Sequence, residues 1–174
     1  MNLVTRPGRI PTAHGSVCAR GGRTVGSPHA VSANIEFHIA APVSVVMEVL
    51  MDIESLPEWS GPHKEAEIID EHDDGAPRTV RMVVTAAGIS DEQTCTYEWT
   101  DTTCEWRLIK SNQLSEQRGK YTVTATDTGS HVHFDLEVDL KIKLPGLIVK
   151  RAQKMAVDTS RKGLTAEAEK RAAG

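Results

Sequence analysis

The segment from His131 to Lys141 constrains the fold more than any other. Val132, Phe134, Leu136, Val138 and Leu140 alternate with His131, His133, Asp135, Glu137, Asp139 and Lys141. Successive side chains of a strand point to opposite faces, so this segment is a strand with one apolar and one charged face. The pattern recurs. Ile35, Phe37 and Ile39 alternate with Asn34, Glu36 and His38, and Val80, Met82 and Val84 share a face. Cys95, Tyr97 and Trp99 form another such face, as do Cys104, Trp106 and Leu108, and Tyr121, Val123 and Ala125. Strands of this kind belong to an antiparallel sheet covered on one side only. Turn signals at Asp73-Asp74-Gly75, Gly88 and Asp127-Thr128-Gly129 separate them, and Pro145-Gly146 ends the sheet.

What covers the sheet has to be helical. Ala41-Pro42 opens a helix with Pro at its first position, where the missing N–H costs nothing. Val46, Val49, Leu50 and Ile53 follow at helical spacing until Pro57 stops the run. Leu56–Ser60 reads as a short second helix or turn. A helix from about Leu147 to Lys170 closes the chain, which gives an α+β order of strand, two short helices, several strands and a long helix.

One hairpin can be read to the register. With Asp101-Thr102 as a two-residue loop, Trp99 faces Cys104, Tyr97 faces Trp106 and Cys95 faces Leu108, all on the apolar side. Cys95 and Cys104 then lie roughly 13 Å apart along the strands at about 3.3 Å per residue. A disulfide needs Cα atoms within about 7 Å, so they form no bridge. Three cysteines, Cys18, Cys95 and Cys104, are too few for a disulfide framework, and free thiols point to a reducing, cytoplasmic compartment.

The last helix carries small or polar residues where a closed core would present Leu and Ile: Ala152, Met155, Ala156, Thr159, Gly163 and Ala168. Facing Trp99, Trp106 and Tyr121, they leave volume unfilled, so a cavity is expected between sheet and helix. Its expected lining is Met82, Val84, Tyr97, Trp99, Cys104, Trp106, Tyr121, Phe134, Leu136, Met155 and Thr159. The competing reading is that the aromatics fill the space themselves.

Charge narrows the partners. Residues 1–30 hold four Arg (Arg6, Arg9, Arg20 and Arg23) and no acid, so the remainder carries 16 basic against 24 acidic groups, net −8. A body that acidic repels phosphate backbones, which excludes nucleic acid. No stretch approaches the ~20 apolar residues that span a bilayer. Residues 1–30, rich in Gly, Pro, Ser and Arg, lack the apolar core of a secretory signal. Their composition suits a transit peptide, a disordered tail or a start codon placed too far upstream. A disordered tail is expected over 1–30 and a single folded domain over 31–174.

Candidate chemistry is sparse, and no catalytic residue, metal site or cofactor is assigned. His131-x-His133 with Asp135 has ligand types for a metal, but it lies on the charged face, where solvated histidines are the simpler reading. His63 and His72-Asp73-Asp74 sit beside a Gly-containing turn that explains the acids without a ligand. Cys104 lacks a histidine on its face and reads as an inert buried thiol. Asp91, Glu92 and Gln93 read as an exposed hairpin end, the alternative being acid/base groups at a cavity mouth.

The run Ala41–Ser60, with Ala41-Pro42, Asp52 and Pro57-Glu58-Trp59, resembles the opening helix of the Bet v 1-like (START-like, SRPBCC) superfamily. More narrowly it is similar to the polyketide cyclase/dehydrase and coenzyme Q-binding proteins of actinobacteria. Gly88-Ile-Ser-Asp91, Tyr97-Glu-Trp99, Leu144-Pro-Gly146 and Lys162-Gly-Leu164 extend the likeness over about 33–170. The resemblance implies a helix-grip fold, a curved antiparallel sheet of six or seven strands wrapped around a long C-terminal helix. It further implies an internal cavity for a hydrophobic small molecule (lipid, quinone or polyketide), with polyketide cyclase/dehydratase activity in that cavity as the alternative. A monomer or weak dimer is expected. Peripheral contact of Lys150, Arg151 and Lys154 with anionic lipid competes with a plain solvated helix face.

Overall fold

The structure, a computed structural model, describes residues 30–174. Of the expected tail over 1–30 only Ala30 is described, and it already belongs to the first strand; the rest of that tail and Cys18 lie outside the described residues. Strand β1 (Ala30–Ile39) leads into helix α1 (Val43–Met51), one 3₁₀ turn at Ile53–Ser55 and the short helix α2 (Leu56–Trp59). Six strands follow: β2 (His63–Glu71), β3 (Pro77–Ala86), β4 (Ile89–Trp99), β5 (Thr103–Ser111), β6 (Leu114–Thr126) and β7 (Gly129–Leu140). The seven strands form one antiparallel sheet in the order β1-β7-β6-β5-β4-β3-β2. Helix α3 (Gly146–Asp158), a π-helical turn (Thr159–Gly163) and helix α4 (Leu164–Ala173) then run as one continuous helix of 28 residues. This is the helix-grip fold, with the upper of the two expected strand counts. Among the described residues no helix is long and apolar enough to cross a membrane.

The alternation read from the sequence sets the register. Trp99 opposes Cys104, Tyr97 opposes Trp106 and Cys95 opposes Leu108. Both cysteines are buried and free. The sheet bends through irregularities between Thr94 and Cys95 and at three register shifts in the β2–β3 pairing. Ile69 falls on the outer face of β2 with Glu67 and Glu71 and is 54% exposed.

Two helix boundaries differ from expectation. Pro42 is not the first helical residue but the N-cap, in an extended conformation, and its carbonyl accepts from the N–H groups of Val45 and Val46. Helix α1 ends at Met51 with Asp52 as C-cap, five residues before Pro57. Pro57 therefore does not stop α1. It sits in the first turn of α2, where no intrahelical N–H bond is lost.

The first half of β6 shows no apolar alternation, for a steric reason. Gly119 opposes Trp106, and a Cβ there would lie 2.0 Å from the indole ring. The aromatic occupies the space of the missing side chain, so glycine stands where a Val or Ile would signal a strand.

The core lies between the sheet and α1, α2 and α4. Val46, Val49, Ile53, Leu164 and Ala168 are all at or below 2% exposure. Helix α4 packs on α1, whereas α3 packs along β1 and has no buried residue.

Candidate functional site

Between the sheet and α3 lies a cavity of about 240 Å³. Its floor is a band of aromatics set across four strands by the register: Tyr97 on β4, Trp106 on β5, Tyr121 on β6 and Phe134 on β7. Tyr97 and Trp106 stack with centroids 6.0 Å apart, Trp106 and Tyr121 lie 5.7 Å apart, and Tyr121 and Phe134 lie 4.7 Å apart. The roof is formed by Ala152, Met155, Ala156 and Thr159. The rings fill part of the space the small roof residues leave, and a cavity remains.

Met82, Val84, Tyr97, Cys104, Trp106, Tyr121, Phe134, Leu136, Met155 and Thr159 all line this cavity. Trp99 does not. It stacks on the far side of Tyr97, at 5.7 Å, and its Nε1 donates to the Pro77 carbonyl at 2.7 Å. The alternation places Trp99 on the right face of β4, but at the end of that strand it lies against Pro77, at the start of β3, with Tyr97 between it and Trp106.

The polar lining is the part that sequence reasoning missed. Ser60, the C-cap of α2, is fully buried, and its Oγ lies 2.5 Å from His63 Nδ1. The His63 N–H also donates to the Ser60 carbonyl, so the tight turn from α2 into β2 holds the two side chains together. Burial lowers the His63 imidazole to about 4, so it is neutral at pH 7. Both residues line the cavity, as do Gln93 and Gln117. The Tyr121 hydroxyl donates to Ser160 Oγ at 2.8 Å, tying the sheet to the π-helical turn. Two buried polar atoms of lining residues, Trp59 Nε1 and Gln117 Oε1, have no hydrogen-bond partner among the described residues. Among the described residues no Asp, Glu, Lys or Arg lines the cavity.

Asp91 and Gln93 are not an exposed hairpin end; both are 6% exposed. The turn falls earlier, at Ala87-Gly88, so residues 91 and 93 continue the inward alternation of 95 and 97. Asp91 accepts from Ser111 Oγ at 2.6 Å and from the N–H groups of Asn112 and Gln113, which fixes the β5–β6 turn. Glu92 alone is exposed, paired with Arg81 at 2.9 Å.

The remaining candidates are placed as follows. Burial pushes the Cys95 thiol up to about 12 and the Cys104 thiol well above its usual value, so neither is a ready nucleophile. His131 and His133 lie on the outer face, where their Nε2 atoms meet Glu36 Oε1 at 3.2 Å and Asn34 Oδ1 at 3.1 Å. His72 Nε2 donates to the Tyr97 carbonyl at 2.7 Å. Among the described residues no group of three or more His, Cys, Asp or Glu is arranged to hold a metal ion. Lys150, Arg151 and Lys154 are exposed on α3, and Lys154 pairs with Asp158.

Solved structures share this architecture. A START superfamily protein from Mycobacterium smegmatis superposes with a TM-score of 0.66 at 23% identity, covering 83% of this chain and 97% of its own. The Zhui aromatase/cyclase of Streptomyces sp. R1128 gives 0.63 at 22% identity, covering 84% and 99%. A major latex-like protein from Panax ginseng gives 0.59 at 9% identity, covering 84% and 99%. At these identities the likeness speaks for the fold. No curated protein matches the sequence. The sequence itself matches the polyketide cyclase / dehydrase and lipid transport family over residues 30–169, from the first strand into the last helix, and the chain belongs to that family.

Proposed function

We propose that the chain binds a hydrophobic small molecule, of lipid, quinone or polyketide type, in the cavity beneath α3, as a carrier or sensor rather than a catalyst. The observation that carries this reading is a lining of aromatic, aliphatic and neutral polar side chains with no charged group among the described residues. Apolar surface of a ligand buried there contributes about 25 cal/mol per Å². The unpaired Trp59 Nε1–H needs an acceptor and Gln117 Oε1 a donor, which favours a ligand carrying a carbonyl or ether oxygen together with a hydroxyl, because each buried unpaired group costs about 1–3 kcal/mol. At about 240 Å³ the cavity is slightly below the usual range of roughly 300–1,000 Å³. A compact ring system suits it best, and a longer molecule requires α3 to move outward.

A second reading, cyclisation or dehydration of a polyketide, is supported by the Ser60–His63 pair, a hydroxyl and a neutral imidazole lining a largely apolar cavity. One experiment separates the two. The protein is titrated with 2-methyl-1,4-naphthoquinone while tryptophan fluorescence is followed, then incubated with an aromatic polyketide precursor and its products analysed. Saturable quenching with no new product is the result expected for a carrier. Turnover that His63→Gln abolishes establishes the second reading.

A further inference from the structure

A second surface, outside the cavity, has a composition unlike the rest of the molecule. Leu140 and Ala152 both line the cavity, and the eleven residues between them form the β7–α3 connection and the start of α3. Those eleven include four basic residues (Lys141, Lys143, Lys150 and Arg151) and no acid. The rest of the described chain carries twelve basic against 24 acidic groups. Lys141 donates to the Ser111 carbonyl, while Lys143, Lys150 and Arg151 pair with no carboxylate among the described residues. Residues 1–29 contain no Asp or Glu that would neutralise them.

The same segment exposes large aliphatic side chains. Ile142 is 53% and Leu147 62% exposed, and Leu147 is the most exposed large hydrophobic among the described residues. Isolated exposed aliphatics are ordinary. Two of them within six residues, bracketed by cations and set where an otherwise acidic surface turns basic, match an anionic phospholipid surface. Aliphatics enter the headgroup boundary while lysine stems extend beside them with their charges at the phosphates. An acidic protein would account for the cations but leaves the paired aliphatics without a role.

We propose that this face, from Lys141 to Arg151, docks on anionic membrane and brings the end of the cavity bounded by Leu140 and Ala152 to the lipid surface. The inference goes beyond ligand binding and stands without it, since its readout requires no cavity ligand.

The test uses the full chain, sedimented with vesicles of phosphatidylcholine alone or with roughly one third phosphatidylglycerol. Partitioning onto the anionic vesicles is expected to be at least about tenfold stronger and to weaken as salt rises. At about fivefold per basic group, the triple variant K143A/K150A/R151A loses on the order of 100-fold. Leu147→Ser, which leaves every charge in place, weakens partitioning several-fold. All four positions are exposed, so circular dichroism of the variants should match the unsubstituted protein. Equal binding to both vesicle types, or wild-type partitioning by the triple variant, overturns the proposal. In the latter case the four Arg of residues 1–29, present in both proteins, carry the binding. Absence of vesicle binding, or unchanged partitioning of Leu147→Ser, overturns it as well; the first would leave an acidic protein as the partner of the cations.

Discussion

The two halves of the long helix have the same backbone and opposite packing. Helix α4 is anchored: Leu164 and Ala168 are fully buried, and Arg171 reaches Glu167 at 3.0 Å and Asp52 at 2.9 Å. Helix α3 buries no residue, and its inward side is made of Ala152, Met155 and Ala156 above the cavity. The π-helical turn lies between them, and Gly163 comes so close to α2 that a Cβ would stand 2.5 Å from the Trp59 carbonyl oxygen. The difference separates the half that holds the core together from the half that roofs the cavity. One half fastens the helix to the core, and the other, with no buried residue, forms the wall of the cavity.

Substitutions can break that contrast. Leu164→Ala removes a fully buried side chain and should cost about 2–5 kcal/mol. Leu147→Ala, at 62% exposure on α3, should stay within about 0.5 kcal/mol. Denaturant midpoints at constant slope read both. Comparable losses would show that α3 contributes to the core.

A pH titration comes next in size. His63 has a folded pKa of about 4 against 6.5 for the free group, so the unfolded chain takes up the proton first. Stability from this group is complete above about 6.5, is lost as pH falls from there to about 4, and falls no further below. A shift of that size corresponds to at most about 3 kcal/mol. His63→Gln should remove this part of the acid sensitivity, measured as the difference between the two stability–pH curves. Parallel curves would mean that the imidazole is solvated in the folded protein.

The smallest effects sharpen the comparison most. Ala168→Leu forces extra volume into the packed half and should cost about 1–3 kcal/mol. Ala156→Leu projects into the cavity and should change stability by less than about 1 kcal/mol, while weakening saturable quinone quenching at least about tenfold. A large destabilisation from Ala156→Leu would indicate that α3 is as tightly packed as α4.

Much of this was legible because strands alternate strictly. The hairpin of Tyr97 and Trp106 could be aligned to the residue, since any slip by one would turn an aromatic outward. The small-residue roof was legible for the opposite reason, as a departure from what a core helix carries, but only over Ala152 to Thr159: Gly163 and Ala168, read the same way, pack tightly against Trp59 and the core and do not line the cavity. Gln117 was passed over although the same period reaches it, four residues before Tyr121, and Gln93, two before Cys95, was read first as an exposed hairpin end, with the cavity mouth as the alternative. Their polarity suggested surface, and only the cavity accounts for their inward position. The Ser60–His63 pair depends on the tight turn out of α2, and no local pattern announces that geometry. The π-helical turn has no composition of its own either, beyond the glycine that lets the helix approach Trp59.

The central claim is that the space beneath α3 is a binding site. Native mass spectrometry of the purified full chain, followed by solvent extraction and identification of what is released, tests it most directly. A stoichiometric apolar passenger carrying oxygen functions, held by the unsubstituted protein and lost from Ala156→Leu, is the expected result. A passenger retained equally by both proteins would place it outside the cavity and contradict the account.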